Sequence, residues 1–183
     1  MDADSTPRMT GARYREFKRD ELSPAQQAVF DAIAAPRGGA VPTPFHILLE
    51  SPELASLTQA LGAFCRYRTD LGPKLSELVV LITAAHWQAD YEYATHASEA
   101  RKAGIADSVI DDLRAGRTPH FEDAESQLVH EFATSFYRTR DIPDALFDRA
   151  VAQLGRRRVV ELAGVLGYYS GLAILLRIFR VPG

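Results

Sequence analysis

The stretch GPKLSELVVLITAAHWQADYEYATHASEARKAG, residues 72–104, decides how this chain folds. Gly72-Pro73 interrupts whatever precedes it, and the longest apolar stretch of the chain, Leu75 to Ala85, follows and runs into His86-Trp87. A more polar run from Tyr91 to Ala103 comes next, and Gly104 supplies a left-handed helix stop. Two readings of the arrangement stand at this point. One straight helix over 75–103 would put Glu77 about 22 Å along the axis from Glu92, at about 1.5 Å per residue. A turn between about Ala84 and Asp90 would instead make two antiparallel arms and bring Glu77 back toward His96.

Outward from this block, helix punctuation repeats. Ser23-Pro24 places a capping side chain before a proline at the first helical position, with Val29, Phe30 and Ile33 behind it. Pro36 to Pro44, with Gly38-Gly39, reads as a loop. Ser51-Pro52 repeats the start signal, and Leu54, Leu57, Leu61, Phe64 and Cys65 recur at helical steps, placing Cys65 in an apolar stripe. Asp107 reads as the cap of a short helix ending at Gly116, and Asp123 as the cap of one reaching about Arg140. Pro143 opens another that closes at Gly155, and the most hydrophobic helix runs from about Arg157 to Phe179. No alternating strand pattern bounded by hairpin turns occurs. The expectation is an all-α chain of about eight helices, with residues 1–21 a polar leader on or beside one domain spanning 22–183. Leu71-Gly72 with Glu77-Leu78 is echoed by Leu154-Gly155 with Glu161-Leu162 and Gly167-Tyr168-Tyr169, as two related helical hairpins would be.

The 183 residues suit one domain, large enough to bury a core without disulfides. The single cysteine excludes an intramolecular disulfide, a two-thiol redox centre and a Cys-based zinc site. A net charge of −3 provides no broad field for phosphate backbones, so nucleic acid is not the expected partner. No apolar run reaches the roughly eighteen residues of a membrane span, and Met1-Asp2-Ala3-Asp4 is acidic where a signal peptide is basic. The expected compartment is the cytoplasm, with no membrane partner.

Functional side chains are densest at His86, Trp87, Asp90, Tyr91, Glu92, Tyr93 and His96. Glu92 and His96 are four apart and share a helix face, and a carboxylate beside an imidazole orients it and raises its pKa, giving an acid/base pair for neutral pH. The bland counterpart is an exposed ion pair worth a few tenths of a kcal/mol. Glu77 sits in an apolar run that favours an inward carboxylate. Arg101, Arg114 and the run Arg156-Arg157-Arg158 are cations for an acidic substrate, although the run reads more simply as solvated or at a subunit interface. His120, after Pro119, and His130, mid-helix, read as structural or solvated. His86, Glu92 and His96 match no metal-ligand spacing, so no metal is expected.

Pro44-Phe45, Leu48-Leu49, Ser51-Pro52, Glu77, Trp87, Tyr91-Glu92, His96, Ala100-Arg101, Ala103-Gly104, Leu154-Gly155 and Val160-Glu161-Leu162 together resemble the carboxymuconolactone decarboxylase family, over roughly residues 14–180. That family shares the alkylhydroperoxidase D-like (AhpD-like) fold. The resemblance implies helical hairpins, a homo-oligomer (trimer or hexamer) and, through the decarboxylases, a lyase of aromatic-compound catabolism. Peroxidase relatives carry Cys-x-His-Cys-x-x-x-His; aligned on Glu77 and His96, the thiol positions are Ala89 and Glu92 and the relay histidine is Tyr91. The thiols of peroxidase chemistry are absent. Decarboxylase relatives have a glutamate four residues before the histidine, as Glu92 stands before His96. The resemblance implies a cofactor-free site on a small carboxylated lactone or related carbonyl compound, with His96 moving the proton and Glu92 and Glu77 orienting it. His86 and Tyr91 would bind developing oxyanion charge and Trp87 would wall the pocket. A peroxidase-related antioxidant and a non-catalytic binding or assembly protein on the same scaffold are the alternatives.

Overall fold

The computed structural model describes residues 11–183. The part of the leader before residue 11 lies outside the described residues. Among these there are eight α-helices and no strand: α1 (Pro24–Ala34), α2 (Thr43–Leu48), α3 (Pro52–Tyr67), α4 (Gly72–Trp87), α5 (Asp90–Lys102), α6 (Asp107–Arg114), α7 (Ala124–Thr139) and α8 (Asp144–Ile178), with 3-10 turns at Arg19–Glu21 and Ala35–Arg37. The all-α expectation holds.

α4 is the axis of the molecule. Every residue from Leu75 to Ala84 is buried, and α3, α5, α6, α7 and α8 all pack on it. A helix apolar on all sides is stable only when surrounded, and five neighbours surround this one. The two readings of 72–104 are decided by Gln88. It adopts the left-handed conformation (φ 51°, ψ 42°), its N–H donates to Ala85 O (3.2 Å), and the N–H of Ala89 donates to Ala84 O (2.9 Å). This paired closure is a Schellman motif, built here on glutamine instead of glycine. The chain therefore reverses within two residues, and α5 returns along α4.

The echo between the two halves is structural. Gly72 (φ 76°) opens α4, and Gly155 (φ 81°, ψ 154°) breaks α8 into two arms, so the helix expected to close at Gly155 and the one expected after it follow each other across one non-helical residue. Glu77 and Glu161 are both buried after those glycines. Glu161 accepts from the Asp70 N–H (2.6 Å) and from Arg157 Nε (3.0 Å), pinning the turn before α4 to the second arm of α8.

Ser23 and Gln26 cap α1 reciprocally, and Asp123 accepts from the Ser126 N–H at the start of α7 (2.7 Å). Other local expectations need correcting. The loop expected over 36–44 ends early: α2 begins at Thr43, its proline tolerated in the first turn, and all six of its residues are buried. Ser51 makes no side-chain cap. Ala106, not Asp107, precedes α6, and the Asp107 carboxylate takes Arg101 Nε instead (2.6 Å). On α3, Leu57 is 64% exposed and Leu54 and Leu61 are exposed too; the buried face is the small one, Ala55, Gly62 and Cys65. Small residues win that face because α8 comes close: a Cβ on Gly62 would overlap the Tyr168 hydroxyl.

Residues 11–22 lie along the domain. The Arg13 N–H donates to Phe179 O (2.8 Å), the Phe17 N–H to His46 Nδ1 (3.0 Å), and Phe17, Leu22 and Leu49 form a small apolar cluster. One expectation is corrected here: α8 is a helix long and apolar enough to cross a membrane by length and composition, with a window of mean hydropathy 1.8. Half of that window is buried inside the protein, as a core helix requires.

Candidate functional site

The α4–α5 hairpin brings Glu77 and His96 together across nineteen residues. Their side chains meet at 2.7 Å, Glu77 Oε2 to His96 Nδ1. A carboxylate only accepts, so Nδ1–H donates and the Nε2 edge is turned away from Glu77. On that edge stands Glu92, its Oε1 3.8 Å from Nε2, one helical turn earlier on α5. All three residues are buried, at 8%, 5% and 5% exposure for Glu77, Glu92 and His96. The exposed ion pair that spacing alone allows is therefore not what forms.

Tyr169 closes one side, its ring edge-on to His96 with centroids 5.2 Å apart, and Tyr168 stands edge-on to Tyr169 at 4.9 Å. Burial raises both phenols, Glu92 raises Tyr168 further and Glu77 raises Tyr169 further, so both stay protonated. Burial also pushes the Glu92 carboxyl up to about 8; Arg66 pulls the other way and Glu77 adds to the rise. Glu92 Oε2 is buried without a hydrogen-bond partner. The site thus holds one carboxylate bonded to an imidazole and, across the ring, one carboxyl kept neutral near pH 7.

Its cation is Arg66, at the end of α3, which acts on Glu92, Tyr168 and Tyr169 and lies 4.0 Å from Glu99. The cations expected from sequence are engaged elsewhere: Arg101 with Asp107 (2.6 Å), Arg114 with Asp90 (2.7 Å), Arg157 with Asp70 and Glu161 (3.0 Å each), and Arg158 bidentate to Glu125 (2.7 and 2.8 Å). The arginine run is thus largely consumed in internal ion pairs. Arg66, Tyr168 and Tyr169 escaped sequence reasoning, though Gly167-Tyr168-Tyr169 stood in the internal echo.

His86, Trp87 and Tyr91 do not join this cluster. His86 is nine residues beyond Glu77, about half a turn round α4 and about 13 Å along it, on the opposite face. It stacks on Tyr137, centroids 4.2 Å apart and planes 14° apart, and lines a cleft of about 1480 Å³ between α4, the α6–α7 connection, α7 and the start of α8. Trp87 donates its indole N–H to Ser170 Oγ (3.2 Å). Tyr91 lines a smaller cavity of about 340 Å³ with Arg177 and Val181. Neither cavity is lined by Glu77, Glu92 or His96.

Beneath the His86–Tyr137 stack the hydroxyls form a directed chain. Thr83 donates to Val79 O (2.7 Å), so it accepts from Tyr137 (2.8 Å); Ser170 accepts from Trp87 and donates to Tyr137 (3.0 Å). Three helices are tied there: α4, through Thr83 and Trp87, α7 and α8. Among the described residues no group of three or more His, Cys, Asp or Glu side chains is arranged to hold a metal ion. Cys65 is buried, and burial raises its thiol to about 11, which disfavours the thiolate.

A comparison with solved structures gives the fold. The fold resembles that of the debrominase Bmp8. A crystal structure of a cysteine-to-alanine variant of that enzyme with 2,3,4-tribromopyrrole superposes with a TM-score of 0.73 over 93% of this chain and 91% of that one, at 14% identity. No family model matches the chain, and no curated protein matches it in sequence.

Proposed function

We propose that the protein is a small-molecule enzyme that moves protons without a thiolate, a cofactor or a metal, at the Glu77–His96–Glu92 site. The observation that carries the reading is the pairing itself: an imidazole fixed by a buried carboxylate at 2.7 Å, with a neutral buried carboxyl on its other edge. His96 takes a proton at Nε2 while Glu77 holds the imidazolium; Glu92 delivers one. The family resemblance supplies the reaction class, a carboxymuconolactone decarboxylase-like lyase. The bond to the leaving carboxylate breaks, its electron pair passes into the unsaturated system toward the lactone carbonyl, carbon dioxide departs, and the acid protonates carbon. Arg66 is the partner for a substrate carboxylate. Buried Cys65, whose thiol burial keeps protonated at neutral pH, speaks against the peroxidase alternative.

We propose in the same way that the protein is a homo-oligomer. Val160, Gly164, Gly167, Gly171, Ile174 and Ile178 form an exposed 4-3-4-3-4 seam on α8, with open space over the three glycines, and it suits a second copy of this chain. The compartment is the cytoplasm. Light scattering on wild type and Gly167→Glu checks the assembly, a trimer or hexamer falling to smaller species in the variant.

The burial of the triad favours a second reading, a binding or assembly protein that keeps the residues but performs no turnover. One experiment separates the two. Carboxylated γ-lactones and related carbonyl acids are incubated with the protein in D2O, and deuterium incorporation and carbon dioxide release are followed by NMR. Turnover that disappears in His96→Gln, with helicity intact by circular dichroism, supports the enzyme. Equal turnover in wild type and His96→Gln overturns it.

A further inference from the structure

The cleft at His86 differs from the triad in charge, access and wall chemistry. In a chain of net charge −3, its lining holds Arg114, Arg117, Arg138 and Arg149 against the single carboxylate of Glu131, along with three of the five histidines. Arg114, Arg117 and Arg149 are ion-paired to Asp90, Asp112 and Glu131 at 2.6–2.8 Å. Arg138, exposed on α7, has no ion-pair partner among the described residues. Adjacent to it, the near-parallel His86–Tyr137 pair presents flat aromatic surface, and Phe121 lies against His130 farther along the wall. Burial lowers both imidazoles, so they offer rings more than charge near pH 7. The Tyr137 hydroxyl is spent on Thr83 and Ser170, which fixes the plane of the stack.

We infer that this cleft is a binding site for a small aromatic carboxylate, its ring laid along the His86–Tyr137 wall and its carboxylate taken by Arg138. The flat wall recognises the ring and the free guanidinium recognises the acid, in a fork that matches carboxylate geometry. The cleft is larger than the roughly 300–1000 Å³ usual for small-molecule sites, so a substituted ring is accommodated. It operates independently of the triad, from which it is separated by the body of α4.

The protein carries its own reporter. Trp87, the single tryptophan, stands edge-on to His86 with centroids 5.3 Å apart. The full chain is titrated with benzoate and with benzamide, following Trp87 emission and, in parallel, heat by calorimetry. Benzoate is expected to saturate both signals, with benzamide at least about tenfold weaker, the usual scale for losing a charge-assisted hydrogen bond. Arg138→Ala and His86→Ala, both at exposed positions, should each weaken benzoate by about tenfold, while His96→Gln leaves it unchanged. Failure of benzoate to saturate, equal affinity for benzamide, or binding that His96→Gln removes and Arg138→Ala does not, overturns the assignment.

Discussion

The two faces of α4 carry opposite designs. On one, Glu77 meets His96 and Glu92 in a closed, carboxylate-rich cluster where burial holds a carboxyl neutral and arranges the imidazole. On the other, His86 opens onto a wide cleft rich in arginine, where burial is partial and the ring, not the proton, is on display. One helix separates a place suited to moving protons from a place suited to holding an anion. A cleft and a titratable cluster need not coincide, and here the arginine-rich cleft is not where the perturbed carboxyl lies.

That contrast can be broken in graded steps. The largest effect belongs to His96→Gln or Glu77→Gln, each expected to lower any proton-transfer rate by about 10²–10⁴-fold, the range for a positioned acid/base group, with cleft binding intact. Rate assays on the NMR substrates and the benzoate titration read the two halves separately. Next is Glu92. Its folded pKa of about 8 lies above the ordinary 4.5, so between those values the folded state holds a proton the unfolded state has lost. Its contribution is complete below pH 4.5 and is lost as pH rises through 8, by about 2–5 kcal/mol at about 1.4 kcal/mol per pKa unit. Urea unfolding of wild type should show that decline and Glu92→Gln should show it flattened.

Gly62→Ala is the third step. The new methyl displaces the Tyr168 ring beside the triad, costing about 1–3 kcal/mol by overpacking, offset by about 1 kcal/mol of helix propensity. Thermal unfolding reads the net loss, and the cleft titration should not respond. Smallest is Ser170→Ala, which removes one link of the hydroxyl chain and costs about 1 kcal/mol. Its effect falls on the cleft instead, since the Trp87 and Tyr137 anchors both loosen.

The fold was largely legible because its signals are local. Gly72, Gly104, Gly155, the Ser23 cap and the Asp123 cap act within one turn of where they stand, and the apolar run of α4 announces its own burial. The reversal at Gln88 was not legible as such, because a non-glycine residue in the left-handed region leaves little trace in sequence. Leu54, Leu57 and Leu61 misled for a related reason: periodicity identifies an apolar face without saying what it meets. At the site, Glu92 and His96 follow from a four-residue spacing, and Glu77 required only the turn. Arg66 comes from α3 and Tyr168 and Tyr169 from α8, and the Tyr168 hydroxyl fills the space that a side chain at Gly62 would take. His86, a neighbour of the triad in sequence, falls on the other face because helical rotation outruns proximity along the chain.

The two-residue reversal at Gln88 and Ala89 has a consequence for what kind of genetic change the triad can survive. Substitution there alters only local backbone cost, whereas one inserted residue carried into α5 would turn that helix by about 100° and slide it by about 1.5 Å. His96 and Glu92 would leave Glu77 together, with every residue of the triad still encoded. In this hairpin, reading the length of the turn correctly matters as much as reading its letters.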